Sequence, residues 1–541
     1  LNFASLSDSI TEIKESTFSG CTGLAEVKLP NALLKISSYA FSNCSALKEI
    51  TLPDTITATE ESVFSGCKNL TSVNYPKSWT TASGNGKIFY GCEALTSISV
   101  PEGVSKIPNY AFYGCSNLKS ISLPETLTAI GTAAFQSCAK LEEINIPNSV
   151  EEVGLRAFSG CISLTKISLS DKITEIKEST FSGCTGLAEV KLPNALLKIS
   201  SYSFSNCSAL KEIILPDTIT ETGEKVFSGC KKLSKANYPK NWTTAANAGG
   251  VFADCDSLTS ISIPDGVTKI PDCAFSGCNK INNIILPENL QYIGKNAFSR
   301  CVSVEKMNIP DTVTDIMEYA FSGCTLLRRV NYPKNLKNSG GHIFSGCESL
   351  SVVAVPEGVS CIPEYAFSGC NYLKVIICPD SLINIESNAF TGCGMLEAVV
   401  IKENTVSVSG TAFDRNNDNL IIYCPKQSYI ESYAENAGIP HKEIEMWKDC
   451  DSAVTYDAGT NTASIIAEVP REKVTVVFAA YDNNSLCSVK CFETELQIGI
   501  NDIIGNEFSV KKDDVVKIFV FNNLKDIKPI YNCTELKIIT K

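Results

Sequence analysis

The sequence predicts a mainly β chain: a solenoid of about eighteen coils of 23 residues joined by a parallel β-ladder, followed by a small β-sandwich. Three observations carry this. Phenylalanine recurs eighteen times from Phe18 to Phe413, with fifteen steps of 23 residues and two of 25. Seventeen of these Phe have Cys three residues later, from Cys21 to Cys393, and only Phe413 has Asn416 there. After about Asp449 the period vanishes and strand-like segments follow at spacings of about eight to twelve residues. A chain of 541 residues exceeds what one hydrophobic core can organise, whereas a repeat array grows in one direction without that limit.

Counted from each Phe, apolar residues recur at +6, +9, +11, +15 and +18; the first unit shows Leu24, Val27, Leu29, Leu33 and Ile36, with Ala40 before the next Phe. The Leu-x-x-Ile-x-Leu segment reads as a short strand, with +9 and +11 facing inward and +8 and +10 outward. Pro at +12, as in Pro30, Pro53, Pro76 and Pro101, removes a backbone donor and ends the strand. About eight buried apolar side chains per coil, at ~1.5–3 kcal/mol each, do not offset ~1.5 kcal/mol of ordering entropy per residue. Stability therefore requires stacking, with Phe on Phe and Cys on Cys.

The array also carries a longer period. Ser5–Thr57 and Ser168–Thr220 are nearly identical at an offset of 163 residues, which is seven coils. The two longer coils, around Asn74 and Asn237, occupy the same place in each block, and a shorter relative begins at Asn331. Block duplication accounts for this. Leu1 aligns with Leu164, inside a coil, so further sequence upstream is expected.

A terminal coil needs a cap, and residues 425–448 are expected to provide a helical cap and linker. Ser428 and Glu431 fit a capping box, Gly438 fits a helix stop and Pro440 follows. Residues 1–424 are then the solenoid and 449–541 the sandwich. Strands are expected at Ser464–Val469, Lys473–Tyr481, Leu486–Phe492, Glu495–Ile500, Glu507–Val510, Val515–Phe521 and Cys533–Ile539, with a turn at Asp482–Ser485. Seven short strands in about ninety residues suggest an immunoglobulin-like arrangement.

The pattern AFSGCxxLxxIxLPxxVxxI resembles the leucine-rich repeat of the BspA-like class, and Pro147–Leu169 matches it almost position by position. The resemblance covers residues 1–424, and YCPKQSYIESYAENAGIP resembles the closing segment of such arrays. It implies a surface protein of oral or gut bacteria, similar to adhesins that bind host or bacterial surface proteins. The phrases VTVVFAAYDNNSLCSVKCF and VVKIFVFNNLKDIKPI resemble a small Ig-like module of secreted clostridial proteins, without the Cys-Trp-Cys hallmark of antibody domains. Cys487 and Cys491, ~13 Å apart along one strand, cannot bridge, which leaves Cys450 with Cys533 as an open pairing.

A net charge of −12 offers no surplus to bind a phosphate backbone, and no apolar run approaches the ~20 residues that cross a bilayer, so neither nucleic acid nor membrane insertion is expected. Two histidines, His342 and His441, restrict acid–base and metal chemistry, and HExxH, GxSxG, Walker-type and CxxC motifs are absent. No enzyme activity, cofactor or metal is expected. The Cys column reads as reduced core thiols, since a thiolate every 23 residues among Phe and Leu lacks tetrahedral partners.

Trp79 and Trp242 lie at the core position +15, which argues for packing; a sugar-stacking platform is the alternative. Asp414, Asn416 and Asp418 begin like a calcium loop, but Asn419 and Pro425 stand where Gly and Glu are needed, so a turn is expected. The outward ladder positions are polar early, as at Glu26, Lys28, Ser97, Ser99, Ser120, Ser122, Asn145 and Ser168. In the last coils they become Val352, Ala354, Val375, Ile377, Ala398 and Val400. That apolar strip should be covered, either by the C-terminal module or the linker with Trp447, or by a ligand. The expected function is a monomeric, secreted or surface-attached recognition protein holding a protein ligand on its ladder face. A carbohydrate-binding accessory and a structural spacer for the C-terminal module are the alternatives.

Overall fold

The words around each Phe fold as a stack of turns because two residues per coil enter the left-handed backbone region. In the first coil these are Ser16 at φ 56° and Gly20 at φ 72°, two residues either side of Phe18. Glycine fills the second place in most coils, as at Gly66, Gly160 and Gly183, because it enters that region without steric cost. The first place holds residues as different as Tyr39, Lys87, Arg156 and His342. From Ser16 to Asn388 none is β-branched, the class that region tolerates least; the coil of Phe413, with Thr411 there, leaves the pattern.

The computed structural model describes residues 2–76, 86–240, 242, 249–330, 332–401, 403–413 and 419–443, together with strand backbones at 452–457, 462–467, 471–482, 485–496, 499–504, 515–521 and 534–537. Trp79, Asp414, Asn416, Asp418, Trp447, Cys450 and Cys533, and the expected strand Glu507–Val510, lie outside the described residues. The chain falls into two compact units: Leu1–Val304 with Tyr319–Cys324, and Glu305–Glu318 with Thr325–Lys541.

In the first unit the turns of neighbouring coils are tied by backbone bonds. The N–H groups of Ser16, Phe18 and Gly20 donate to the carbonyls of Ser38, Ala40 and Ser42 at 2.9, 2.8 and 2.8 Å. The chain then extends as Glu26–Lys28, which pairs in parallel with Phe3–Ser5; Ser97–Ser99 with Ser120–Ser122 and Lys166–Ser168 with Glu189–Lys191 repeat this first ladder. A second ladder, not among the strands the period predicts, follows: Glu12–Ile13, Lys35–Ile36 and Ala58–Thr59 pair in parallel. A strand of two residues has no alternation to betray it. Its signal was folded into the single apolar position +18.

Between the ladders and the turns lies one continuous interior. The rings of Phe18 and Phe41 stack with centroids 5.2 Å apart and planes 8° from parallel, and Phe135 on Phe158 repeats this at 5.3 Å and 9°. The outward positions are exposed and the central one buried in strands such as Ser97–Ser99 and Lys166–Ser168. The array is therefore a parallel β-solenoid of about seventeen turns.

The second unit continues the same construction. Val352–Ala354, Val375–Ile377, Ala398–Val400 and Ile421–Cys424 form one parallel ladder, and Cys361–Ile362, Asn384–Ile385 and Ser407–Val408 form another. The closing helix is Tyr429–Ala437. Ser428 caps it by accepting from the Glu431 N–H at 3.2 Å, and Gly438 ends it at φ 71°. After it His441–Glu443 rejoins the ladder beside Ile422–Cys424, so the closing segment contributes a last strand as well as a helix.

Farther along, two antiparallel sheets form. One has the order 452–457, 462–467, 499–504, and the other 485–496, 471–482, 515–521, 534–537. The strands expected at Leu486–Phe492 and Glu495–Ile500 are instead Ser485–Leu496 and Gly499–Ile504. The reason is the neighbour: Arg471–Asp482 is twelve residues long and pairs along its partner's length, with Asp482 opposite Ser485 at the reversal. Val515–Phe521 falls where expected, and Ser452–Asp457 is an additional strand.

Candidate binding surface

The cysteine column is chemically quiet. From Cys44 to Cys324, and again at Cys370 and Cys393, the Sγ donates to the carbonyl of the Phe one coil earlier, as from Cys67 to Phe41 and from Cys161 to Phe135, both at 3.1 Å. Burial pushes the Cys67 thiol up to about 12 and Cys44 to about 11, which suppresses the thiolate that attacks or ligates. The twenty-one cysteines whose side chains the structure describes are free, and among the described residues no group of His, Cys, Asp and Glu could hold a metal ion.

Trp242 is 2% exposed and meets Tyr238 edge-on at 5.0 Å. The core placement of Trp242 stands, and its ring offers no platform for a sugar. His342 stacks on Tyr365 with ring centroids 4.4 Å apart, and burial holds its imidazole below the usual value against the pull of Glu364 and Glu318.

The two ladders present different outer faces. Along the second, charges are paired internally. Lys35 Nζ lies 3.1 Å from Glu12 and 2.9 Å from Glu60, and Lys198 sits 3.5 Å from both Glu175 and Glu221. Hydrogen bonds to Glu60 and Glu12 raise the Lys35 ammonium, and the Lys35 partner lowers the Glu12 carboxyl. In these coils that strip is engaged with itself.

The first ladder differs. Ser97 and Ser120 share one column and Ser99 and Ser122 the next, all exposed; Ser260 and Ser262 present the same pair further on. Among the described residues these six hydroxyls have no partner within the protein. Lys166 and Glu189, 2.8 Å apart, add a paired charge to the face, and Ile214 and Ile285 stand exposed on it.

In the second unit the strand register aligns Val352, Val375, Ala398 and Ile421 in one column and Ala354, Ile377, Val400 and Tyr423 in the other. The six residues singled out from the sequence thus share two adjacent columns. Val400 retains 7% of its surface, with Ala398 and Tyr423 half-buried. Alternation names the face, and the apolar character of the strip says that it should be covered, but neither says by what.

Turn stacks, twin parallel ladders and a shared Phe interior define a leucine-rich repeat solenoid. The model of the BspA type leucine rich repeat region matches residues 1–86, 85–179, 151–249, 248–360 and 342–453, and the chain belongs to that family. A leucine-rich repeat protein of Bacteroides ovatus is similar at 29% identity and TM-score 0.54, over 66% of this chain and 87% of that one. A leucine rich cell surface protein of Faecalibacterium prausnitzii shares 21% identity with TM-score 0.36, over 74% and 87%. The pneumococcal vaccine antigen PcpA shares 18% with TM-score 0.40, over 76% and 92%. No curated protein matches. No helix among the described residues is long and apolar enough to cross a membrane.

Proposed function

We propose that this protein is a non-catalytic recognition protein, secreted or held at a bacterial cell surface, that binds a surface protein of a host or another bacterium through the outer face of the first ladder. One observation carries the reading: the exposed columns of Ser97, Ser120, Ser99 and Ser122 have no partner within the protein, while the neighbouring ladder is closed by its own ion pairs. Hydroxyls held at strand spacing on a rigid stack lose little entropy on binding, which favours a partner. The family membership and the surface description of the Faecalibacterium protein agree with this setting. The C-terminal sheets are read here as an Ig-like sandwich that follows the array in sequence.

The test is capture from panels of host matrix and bacterial surface proteins by the intact chain and by a Ser97→Arg/Ser120→Arg variant. The reading expects a captured protein that the variant loses. Equal capture by both chains, or none by either, overturns it.

A further inference from the structure

A different surface of the first unit carries an unexplained group of side chains. Tyr90 and Tyr113 stack with centroids 4.6 Å apart and planes 2° from parallel. Tyr110 tilts against Tyr113 at 6.1 Å and 50°, and Lys87 Nζ lies 5.8 Å from the Tyr110 ring centre. All four side chains are half-buried, so part of each meets water. They lie on the turn stack around Phe89 and Phe112, away in the coil from the ladder positions discussed above.

The fold does not demand these residues. Offset by 163 residues, the same places hold Gly250, Ala253, Cys273 and Ser276. The coil is built alike there: Phe252 stacks on Phe275 at 5.7 Å, as Phe89 does on Phe112 at 5.4 Å, and the bond from Phe252 N–H to Ala274 at 3.0 Å matches that from Phe89 to Ala111 at 2.9 Å. Three aromatic rings and a cation have thus been placed at positions where small residues suffice.

Their chemistry selects a ligand. Tyr90 and Tyr113 cover one face of each other, and the next residues in their register, Ser65 and Gln136, bring no ring to the remaining faces. A pyranose ring matches such a surface, with its axial C–H groups on a π face and its hydroxyls within reach of phenolic oxygens. Among the described residues the Lys87 ammonium has no carboxylate partner, so an acid group on the sugar would complete it. We propose that Tyr90, Tyr110, Tyr113 and Lys87 form a second binding site, for a uronate-bearing polysaccharide. The site is independent of the ladder-face reading and stands or falls separately.

The experiment is calorimetric titration of the intact chain with a galacturonate hexamer, with cellohexaose as the neutral sugar and decaproline as the peptide that could also lie on tyrosines. Two variants borrow residues that the chain already uses at the equivalent places, so the coil should keep its fold: Tyr90→Ala/Tyr113→Ser and Lys87→Gly. Circular dichroism checks that it does. The expected result is saturable binding of the galacturonate hexamer, weakened about tenfold or more by Tyr90→Ala/Tyr113→Ser, with Lys87→Gly weakening the acidic sugar and not the neutral one. No saturable binding of either sugar, affinities that the variants leave unchanged, or binding of decaproline alone would overturn it.

Discussion

The Sγ of Cys44 donates to the backbone carbonyl of Phe18 across 3.1 Å, and that carbonyl also accepts the N–H of Cys21 in its own coil at 3.0 Å. One oxygen thereby ties two coils together. The relationship recurs in both units, as between Cys301 and Phe275 and between Cys393 and Phe367, each at 3.2 Å, which explains a cysteine where alanine would also fit: the site needs a small apolar group that can donate. In Cys161→Ala the Phe135 carbonyl keeps one donor and loses the other, so a loss of about 1–2 kcal/mol is expected, read as a lowered urea midpoint.

The same burial makes stability fall in alkali. Cys67 and Cys184 are pushed by burial up to about 12 from an ordinary thiol value of 9.0. The fold prefers the protonated form, so these thiols contribute fully below about pH 9, and their contribution is lost as the pH rises through 9 toward 12. The denaturant midpoint should be flat from pH 7 to about 8.5 and then decline steeply; a midpoint level to pH 11 would contradict the buried column.

Reactivity should sort the cysteines by place. At pH 8 a thiol-exchange reagent is expected to modify the half-buried Cys273 and Cys361 slowly in the native chain, since burial raises both thiols, Cys361 to about 11, and to leave Cys138 and Cys161 intact until urea is added. Mass mapping of labelled peptides reads the order.

Two glycines separate backbone conformation from close packing. Gly160 sits at φ 75° with its nearest neighbour for an added Cβ at 3.6 Å, so Gly160→Ala should cost only the left-handed penalty, about 1 kcal/mol. A Cβ on Gly154 would lie 2.5 Å from the backbone of Gly131 and Thr132. Gly154→Ala must push two coils apart, and a clearly larger fall in thermal midpoint is expected.

Register predicts which deletions survive. Removing residues 58–220 joins Thr57 to Glu221, which Thr220 precedes in the native chain, and deletes the 163-residue block as seven whole coils. The shortened chain should keep its ellipticity per residue. Removing ten residues fewer should abolish cooperative unfolding.

Much of this was legible in the sequence because the Phe and Cys columns mark both the period and the interior. What escaped has physical causes. The Lys35–Ile36 ladder is too short to alternate, and the hairpin Arg471–Leu496 takes its length from its partner rather than from its own pattern. The tyrosines at 90, 110 and 113 fall between the apolar positions, where a period carries no information, and only the folded turn stack brings them together.

The left-handed residues two places before Phe18 through Phe390 have a lasting effect on how such a chain can change. Ser16, Tyr39, Lys87, Arg156 and His342 occupy equivalent places with the same backbone, so the scaffold is indifferent to what these sites display. Mutation can rewrite that edge one residue at a time, provided the newcomer is not branched at Cβ, while the rings beneath stay as they are. A protein built this way can acquire new partners faster than it alters its skeleton.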